Sequence, residues 1–218
     1  LQEAQSARLP VAFAKNLGDG TEFILPDGGA PEHLNEAALA ALAADKTTTH
    51  TIGNESWFIE ARNPPPRLIL IGAVHIAQAI VPLAALTGFE VVLVDPRTAF
   101  GNQDRFPGAT ILNEWPDDAI KTLGPGIRTA VVTLTHDPKL DDPALDEALK
   151  TDAFYLGALG SRKTHAARLA RLAALGHTET TLSRIHGPVG LNIGAVTAPE
   201  IALSIIAELV ATRRGPKP

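Results

Sequence analysis

Apolar residues along this chain recur with two different periods, and the pattern changes character near residue 67. Before that point, "LPVAFAKNL" (9–17) and "TEFILPD" (21–27) predict two strands joined by the turn "GDG". "HLNEAALAALAADK" (33–46) predicts a helix with an Ala/Leu face and Asn35 as its cap. "TTTHTIGNESWFIEA" (47–61) predicts a second strand pair, turning at "GNES". The three prolines of "RNPPPR" (62–67) can neither continue a helix nor sit in a central strand, so they read as a connector. Residues 1–63 are therefore expected to form a small α+β domain, and residues 67–214 a separate one.

Beyond the connector, strands and helices alternate. "RLILIG" is the first strand, followed by a helix from His75 to Leu86 with Gly88 after it. "EVVLVD", "ATILN", "TAVVTLT" and "AFYLGAL" supply four more strands. "DPALDEALK" predicts a short helix capped by Asp142, and "SRKTHAARLARLAAL" one capped by Ser161 and stopped by Gly176. Arg168 and Arg171 in that helix are expected at the surface. "APEIALSIIAELVATRR" closes the pattern as a helix with proline near its start. This alternation predicts an α/β fold with a Rossmann-like, doubly wound parallel sheet. Ligands of such sheets bind beyond the C-terminal strand ends, where strand order reverses.

Composition narrows the function. Apolar residues make up 45% and charged residues 20%, ordinary for a folded domain. The net charge of −5 gives no basic footprint for nucleic acid, and the "ATRRGPKP" end reads as a frayed tail. With no Cys, disulfides, zinc thiolates and cysteine nucleophiles are excluded, and no metal site is assigned. With no Met, the chain is expected to lack its translation start. No apolar run approaches the ~20 residues of a membrane-spanning helix, so a cytoplasmic protein is expected. Homodimerisation would suit a domain of this size with so thin a companion, although no feature fixes an interface.

Chemistry-bearing residues gather at the predicted strand ends. Gly72 turns the first strand into its helix, whose N–H groups could meet an anion. Ala77 holds the third position of G-x-G-x-x-G/A, and Asp95 follows Gly72 by 23 residues, near the offset of a ribose-binding acid. Val74 replaces the middle glycine and is expected to crowd a pyrophosphate there. A dinucleotide site and a plain crossover fit this loop equally well, and Asp95 before Pro96 is also an ordinary turn-former. "TLTHDPKLDD" puts His136 and Asp137 side by side, as an acid/base pair or as a solvated Asp-Pro turn. "GALGSRKTH" leads Gly160 and Ser161 into a helix start bearing Arg162 and Lys163. Cations are electrostatically unfavourable at that end, which points to an anion there. "RIHGPVGLNIGAVTAPE" (184–200), with His186, Gly187, Gly190, Asn192 and Gly194, reads as a ligand-covering loop.

Taken in order, "GAVHIAQAIVPLAALTGFEVVLVDPR", "RFPGA", "TLTHDPKLDDPAL", "FYLGALGSRKTH" and "IHGPVGLNIGAVTAPEIALSIIAE" resemble the XdhC/CoxI family over residues 67 to about 210. The resemblance implies a chaperone that binds molybdenum cofactor, as molybdopterin or its dinucleotide form. Such a chaperone assists the cofactor's sulfuration and its insertion into a xanthine dehydrogenase or CO dehydrogenase apo-enzyme. It implies an accessory protein more than a catalyst, with a cysteine desulfurase as a further partner. Carried over by position, the cofactor-binding residues are Gly72, His75, Asp95, Gly160, Ser161, Arg162, Gly187 and Asn192, with His136 and Asp137 against the pterin. Two departures stand out. The family's leading domain carries Gly-Gly-Cys where this chain reads "PDGGAPEH", and its "GLDIGA" is here "GLNIGA", so Asn192 replaces a carboxylate. The competing readings are an NAD(P)-dependent oxidoreductase, with Asp95 on the ribose and His136 as acid/base, and a non-catalytic scaffold.

Overall fold

Strict alternation along three central strands organises the larger of two units. The computed structural model describes residues 9–25 and 29–215, and the chain divides between Pro64 and Pro65. In β5 (Arg67–Ile71), Leu68 and Leu70 face one apolar cluster while Ile69 and Ile71 face another. β6 (Glu90–Val94) repeats the pattern, with Val91 and Leu93 on one side and Val92 and Val94 on the other. β8 (Thr129–Thr133) does the same with Val132 and Val131. Side chains apolar on both faces mean a sheet covered on both faces, which is the parallel arrangement.

The sheet has six parallel strands in the order β10-β9-β8-β5-β6-β7, completed by β7 (Thr110–Leu112), β9 (Tyr155–Ala158) and β10 (Ile185–His186). Strands run outward from β5 and β8 in opposite directions, the Rossmann order with its switch point between those two. One face carries α2 (His75–Leu86) and α7 (Ala198–Arg214), the latter through Ala202, Ile205, Ile206 and Leu209 at helical spacing. The other carries α3 (Pro116–Leu123), α4 (Pro138–Leu149) and α5 (Arg162–Ala174), with the short α6 (Glu179–Leu182) beyond.

The smaller unit is an antiparallel sheet, β2-β1-β4-β3, of β1 (Val11–Asn16), β2 (Glu22–Leu25), β3 (Thr48–Ile52) and β4 (Glu55–Arg62). α1 (Glu32–Ala44) lays Leu34, Ala38, Ala41 and Leu42 over Ala12, Ala14, Trp57 and Ile59. Pro26–Gly28, where the Gly-Gly-Cys comparison falls, lie outside the described residues.

Several expected details are corrected. α1 starts at Glu32, so Asn35 sits inside the helix rather than capping it, and its amide reaches back to the Ala30 carbonyl. α4 begins five residues earlier than expected: Asp137, not Asp142, caps it through the Lys139 N–H at 2.9 Å, and Asp142 lies within it, paired with Arg171. "PDDAIKTL" forms α3, its amphipathic stripe too short to stand out in sequence, and Ile185–His186 add a sixth strand inside what reads as loop. The "ATRR" of the basic tail is the last turn of α7, where Arg213 lies 5.2 Å from the Phe89 ring centroid. Among the described residues, no helix is long and apolar enough to cross a membrane.

Candidate functional site

The predicted site residues fall on neighbouring loops at the C-terminal edge of the larger sheet, but in two different chemical settings. At the first crossover, Gly72 has φ +109°, and a Cβ there would lie 2.3 Å from Thr135 Cγ2. The glycine is thus required by the adjoining β8–α4 loop, independently of any ligand. Val74 precedes α2 in ordinary extended geometry (φ −90°, ψ 172°) and packs half-buried against an apolar cluster. No positive φ forces glycine here. His75 opens the helix and is exposed.

Asp95 closes β6 and is fully buried. Its Oδ2 accepts the Ala73 N–H at 2.8 Å and Arg97 Nη2 at 2.7 Å. Its Oδ1 accepts the Arg97 N–H at 3.0 Å and Nε at 2.8 Å. Burial alone would raise this carboxyl, but the bonds from Arg97 and Ala73 outweigh it and leave it below the ordinary Asp value.

At the switch point, Asp141 of α4 reaches back to fix the β8–α4 loop. Its Oδ1 accepts the Thr135 hydroxyl at 2.6 Å, and its Oδ2 accepts the His136 N–H at 3.1 Å. His136 is exposed and held at φ +61°, with its Nδ1 3.5 Å from where a Cβ on Gly160 would stand. Asp137 is spent as the α4 cap. Behind this loop, Arg168 is 1% exposed, which overturns its expected surface position. It lies 3.6 Å from Asp141 Oδ2 and donates from Nη2 to the Leu159 carbonyl at 3.0 Å, while its Nε and Nη1 are buried without a partner. Burial lowers its affinity for the proton and raises that of Asp141, each opposed by the other's charge. Arg171 is partly exposed, as expected.

The β9–α5 loop is set differently. Gly160 has φ +142°, and Ser161 caps α5, its Oγ accepting the Thr164 N–H at 3.1 Å. A helix leaves its first N–H groups without intrahelical partners. Here the cap takes Thr164, so those of Arg162 and Lys163 remain for a ligand. Both side chains are exposed. Gly160 and Arg162 open onto a cavity of about 420 Å³, walled opposite by Gly190, Leu191, Asn192 and Ile193 of the glycine-rich loop. Gly187 lies under the His165 ring: a Cβ would meet His165 Nδ1 at 2.1 Å, so this glycine serves packing. Burial, then the charge of Arg168, lowers the His165 pKa.

The glycine-rich loop is anchored by a residue that sequence reasoning missed. Glu208 of α7 accepts the Gly190 N–H at 2.7 Å and the Tyr155 hydroxyl at 2.5 Å on Oε2, and its Oε1 lies 3.0 Å from His186 Nδ1. The Tyr155 and His186 rings stack at 4.5 Å. Burial first, then Glu208, pushes the Tyr155 hydroxyl pKa far up, so it stays a proton donor. The available signal was a carboxylate between Ile205 and Leu209 on the apolar stripe of α7. Gly160, Arg162 and Asn192 thus share one cavity, Ser161 and His136 adjoin it, and Gly72, His75 and Asp95 belong to the first crossover.

Comparison with known proteins agrees with this architecture. Residues 68–209 match the family model described as the XdhC Rossmann domain. The chain is 34% identical over 167 residues to the molybdenum cofactor insertion chaperone PaoD of Escherichia coli K12, covering 77% of this chain and 46% of that one. It is 35% identical over 160 residues to a Bacillus subtilis 168 protein named as a probable xanthine dehydrogenase subunit, covering 73% and 46%. The chain therefore spans about half the length of these relatives. A crystal structure of a xanthine dehydrogenase from Bacillus halodurans shares the fold, with a TM-score of 0.72 at 23% identity, over 99% of this chain and 63% of that one.

Proposed function

The chain belongs to the XdhC family through its Rossmann domain, and from that premise we propose that it handles molybdenum cofactor during maturation of a molybdenum hydroxylase. It receives the cofactor, shields it during sulfuration and passes it to the apo-enzyme in the cytoplasm. Two relatives, one named an insertion chaperone and one a probable xanthine dehydrogenase subunit, support the setting.

One observation carries the reading: the capped start of α5, with Arg162 and Lys163 in its first turn, opens on a cavity faced by Asn192. Free N–H groups, a helix dipole and a guanidinium suit the cofactor's phosphate. At about 420 Å³ the cavity falls within the range of small-molecule sites. With no Cys in the chain, there is no thiolate for molybdenum. The grip falls on the organic part: phosphate at Gly160–Lys163, and the pterin edge toward Asn192, whose amide both donates and accepts. His136 stands beside Gly160 as a further contact.

The test is anaerobic purification after co-expression with the cofactor pathway, followed by oxidation and pterin fluorescence, for wild type and Arg162→Ala. Near-stoichiometric pterin is expected in wild type. About tenfold less is expected in the variant, the size of one lost charge-assisted hydrogen bond. Pterin in neither protein would overturn the reading.

A further inference from the structure

In a doubly wound fold, the acid that ends the second strand normally receives the ribose hydroxyls of a dinucleotide. Asp95 stands in that place, at the end of β6 beside β5. An ionised carboxylate offers about four acceptor positions. Here all four are met from within the chain: by the Ala73 N–H, the Arg97 N–H, Arg97 Nε and Arg97 Nη2. Three of the four come from one residue, two positions along the chain.

Arg97 is well placed to keep that grip. Its fork meets both carboxylate oxygens at once, the bidentate geometry that makes such pairs strong. Its guanidinium also lies 4.7 Å from the Phe100 ring centroid, and the charge of Asp137 attracts it further. Its side chain is 43% exposed while that of Asp95 is wholly covered. A ligand reaching the end of β6 therefore meets a cation rather than a carboxylate. To bind there, a ribose diol would have to replace ion-pair hydrogen bonds with ones in which only the acceptor is charged.

We propose that Arg97 is a specificity-determining residue: by clamping Asp95 it closes the first crossover to the vicinal diol of a nucleoside, and so keeps NAD and NADH, whose adenosine ribose carries that free diol, out of a fold otherwise shaped to take them. This goes beyond the cofactor-handling reading and does not depend on it, since it rests on the β5–α2 crossover alone while that reading rests on α5.

The experiment titrates the full chain with NADH, followed by its fluorescence, for wild type, Arg97→Ser, Arg97→Lys and the double variant Arg97→Ser with Asp95→Asn. A thermal melt of each checks folding. Arg97→Ser is expected to bind NADH about tenfold or more tightly than wild type, a gain of the order of one displaced hydrogen-bond pair. Arg97→Lys retains the ion pair but reaches only one oxygen, so it is expected to show a smaller gain and carries the test if the Ser variant unfolds. Adding Asp95→Asn should return binding to the wild-type level. The proposal is overturned if wild type binds NADH as tightly as the two single variants, if a folded Arg97→Ser gains nothing, or if the gain survives loss of the carboxylate in the double variant.

Discussion

Two loops of the same sheet edge carry similar motifs and are built to opposite ends. At the β5–α2 crossover the strand-end carboxylate already has its partners, although α2 itself carries no side-chain cap: Asp95 is filled by Ala73 and Arg97, Gly72 makes room for Thr135, and Val74 packs on the core. At the β9–α5 crossover the cap satisfies one N–H, while Gly160 and Arg162 line a cavity and Lys163 stands exposed in the same helix turn. In sheet order β8 and β5 stand between β9 and β6, so the two settings are separate. The lesson is that a glycine-rich turn marks where backbone must pass closely, which another loop can require as well as a phosphate. Unsatisfied donors beside a free cation and an open cavity are the better sign of a ligand.

The sharpest way to break this contrast is to remove the buried support under the open side. Arg168 holds Asp141, which sets the His136 loop, and the Leu159 carbonyl, next to Gly160. Arg168→Met leaves a buried carboxylate without its cation, at a cost of about 3–5 kcal/mol. Denaturant melts should show that loss, and adding Asp141→Asn should recover much of it. If Arg168→Met is as stable as wild type, the pair does not organise these loops.

Next in size is Asp95→Asn, which removes the charge that fills the closed side and is expected to cost about 2–3 kcal/mol at neutral pH. The folded carboxyl lies below its unfolded value of about 4. Its contribution is therefore complete above about pH 4 and disappears as pH falls through the folded value. Wild type and Asp95→Asn should accordingly converge in stability in acid and differ by a constant amount above about pH 5. A gap that persists below the folded value would mean that the carboxylate's charge is not what fills the crossover.

A smaller effect tests the wall of the cavity. Glu208→Gln keeps one oxygen for the Tyr155 and Gly190 donors but removes the carboxylate's charge from both bonds, at about 1–3 kcal/mol. Amide exchange at Gly190 should quicken while the first crossover is unchanged. Equal quickening at Gly72 would mean that the two loops move as one.

These sites differ in how far sequence reveals them. The unbroken apolar runs in "RLILIG", "EVVLVD" and "TAVVTLT", with helices between them, report strands buried on both faces, so the parallel sheet was legible, and Ser161 was a readable cap because its partner lies three residues on. Asp137 was hidden as a cap by the second acidic pair, Asp141 and Asp142, which also precedes a proline. Arg168 looks like a surface residue because its partner Asp141 lies in a different helix, 27 positions earlier. Glu208 joins residues 18 to 53 positions away, a separation at which helical periodicity says nothing about partners. Local chemistry was legible, and the long-range polar contacts that decide which loop is open were not.

The smallest expected effect is the most diagnostic of the comparison. Val74 stands where a dinucleotide fingerprint has glycine, and taken alone it looks like the obstacle. Its backbone is ordinary for any residue, however, and its side chain is directed onto the apolar cluster. Val74→Gly loses part of a half-buried isopropyl group, but glycine is preferred to valine at a helix N-cap, so the net change in stability should stay below about 1 kcal/mol. NADH affinity should not change, because Asp95 remains held by Arg97. A clear gain from Val74→Gly alone would place the barrier in the side chain rather than in the clamp. The first crossover would then be a blocked dinucleotide site instead of a loop whose strand-end carboxylate is already filled.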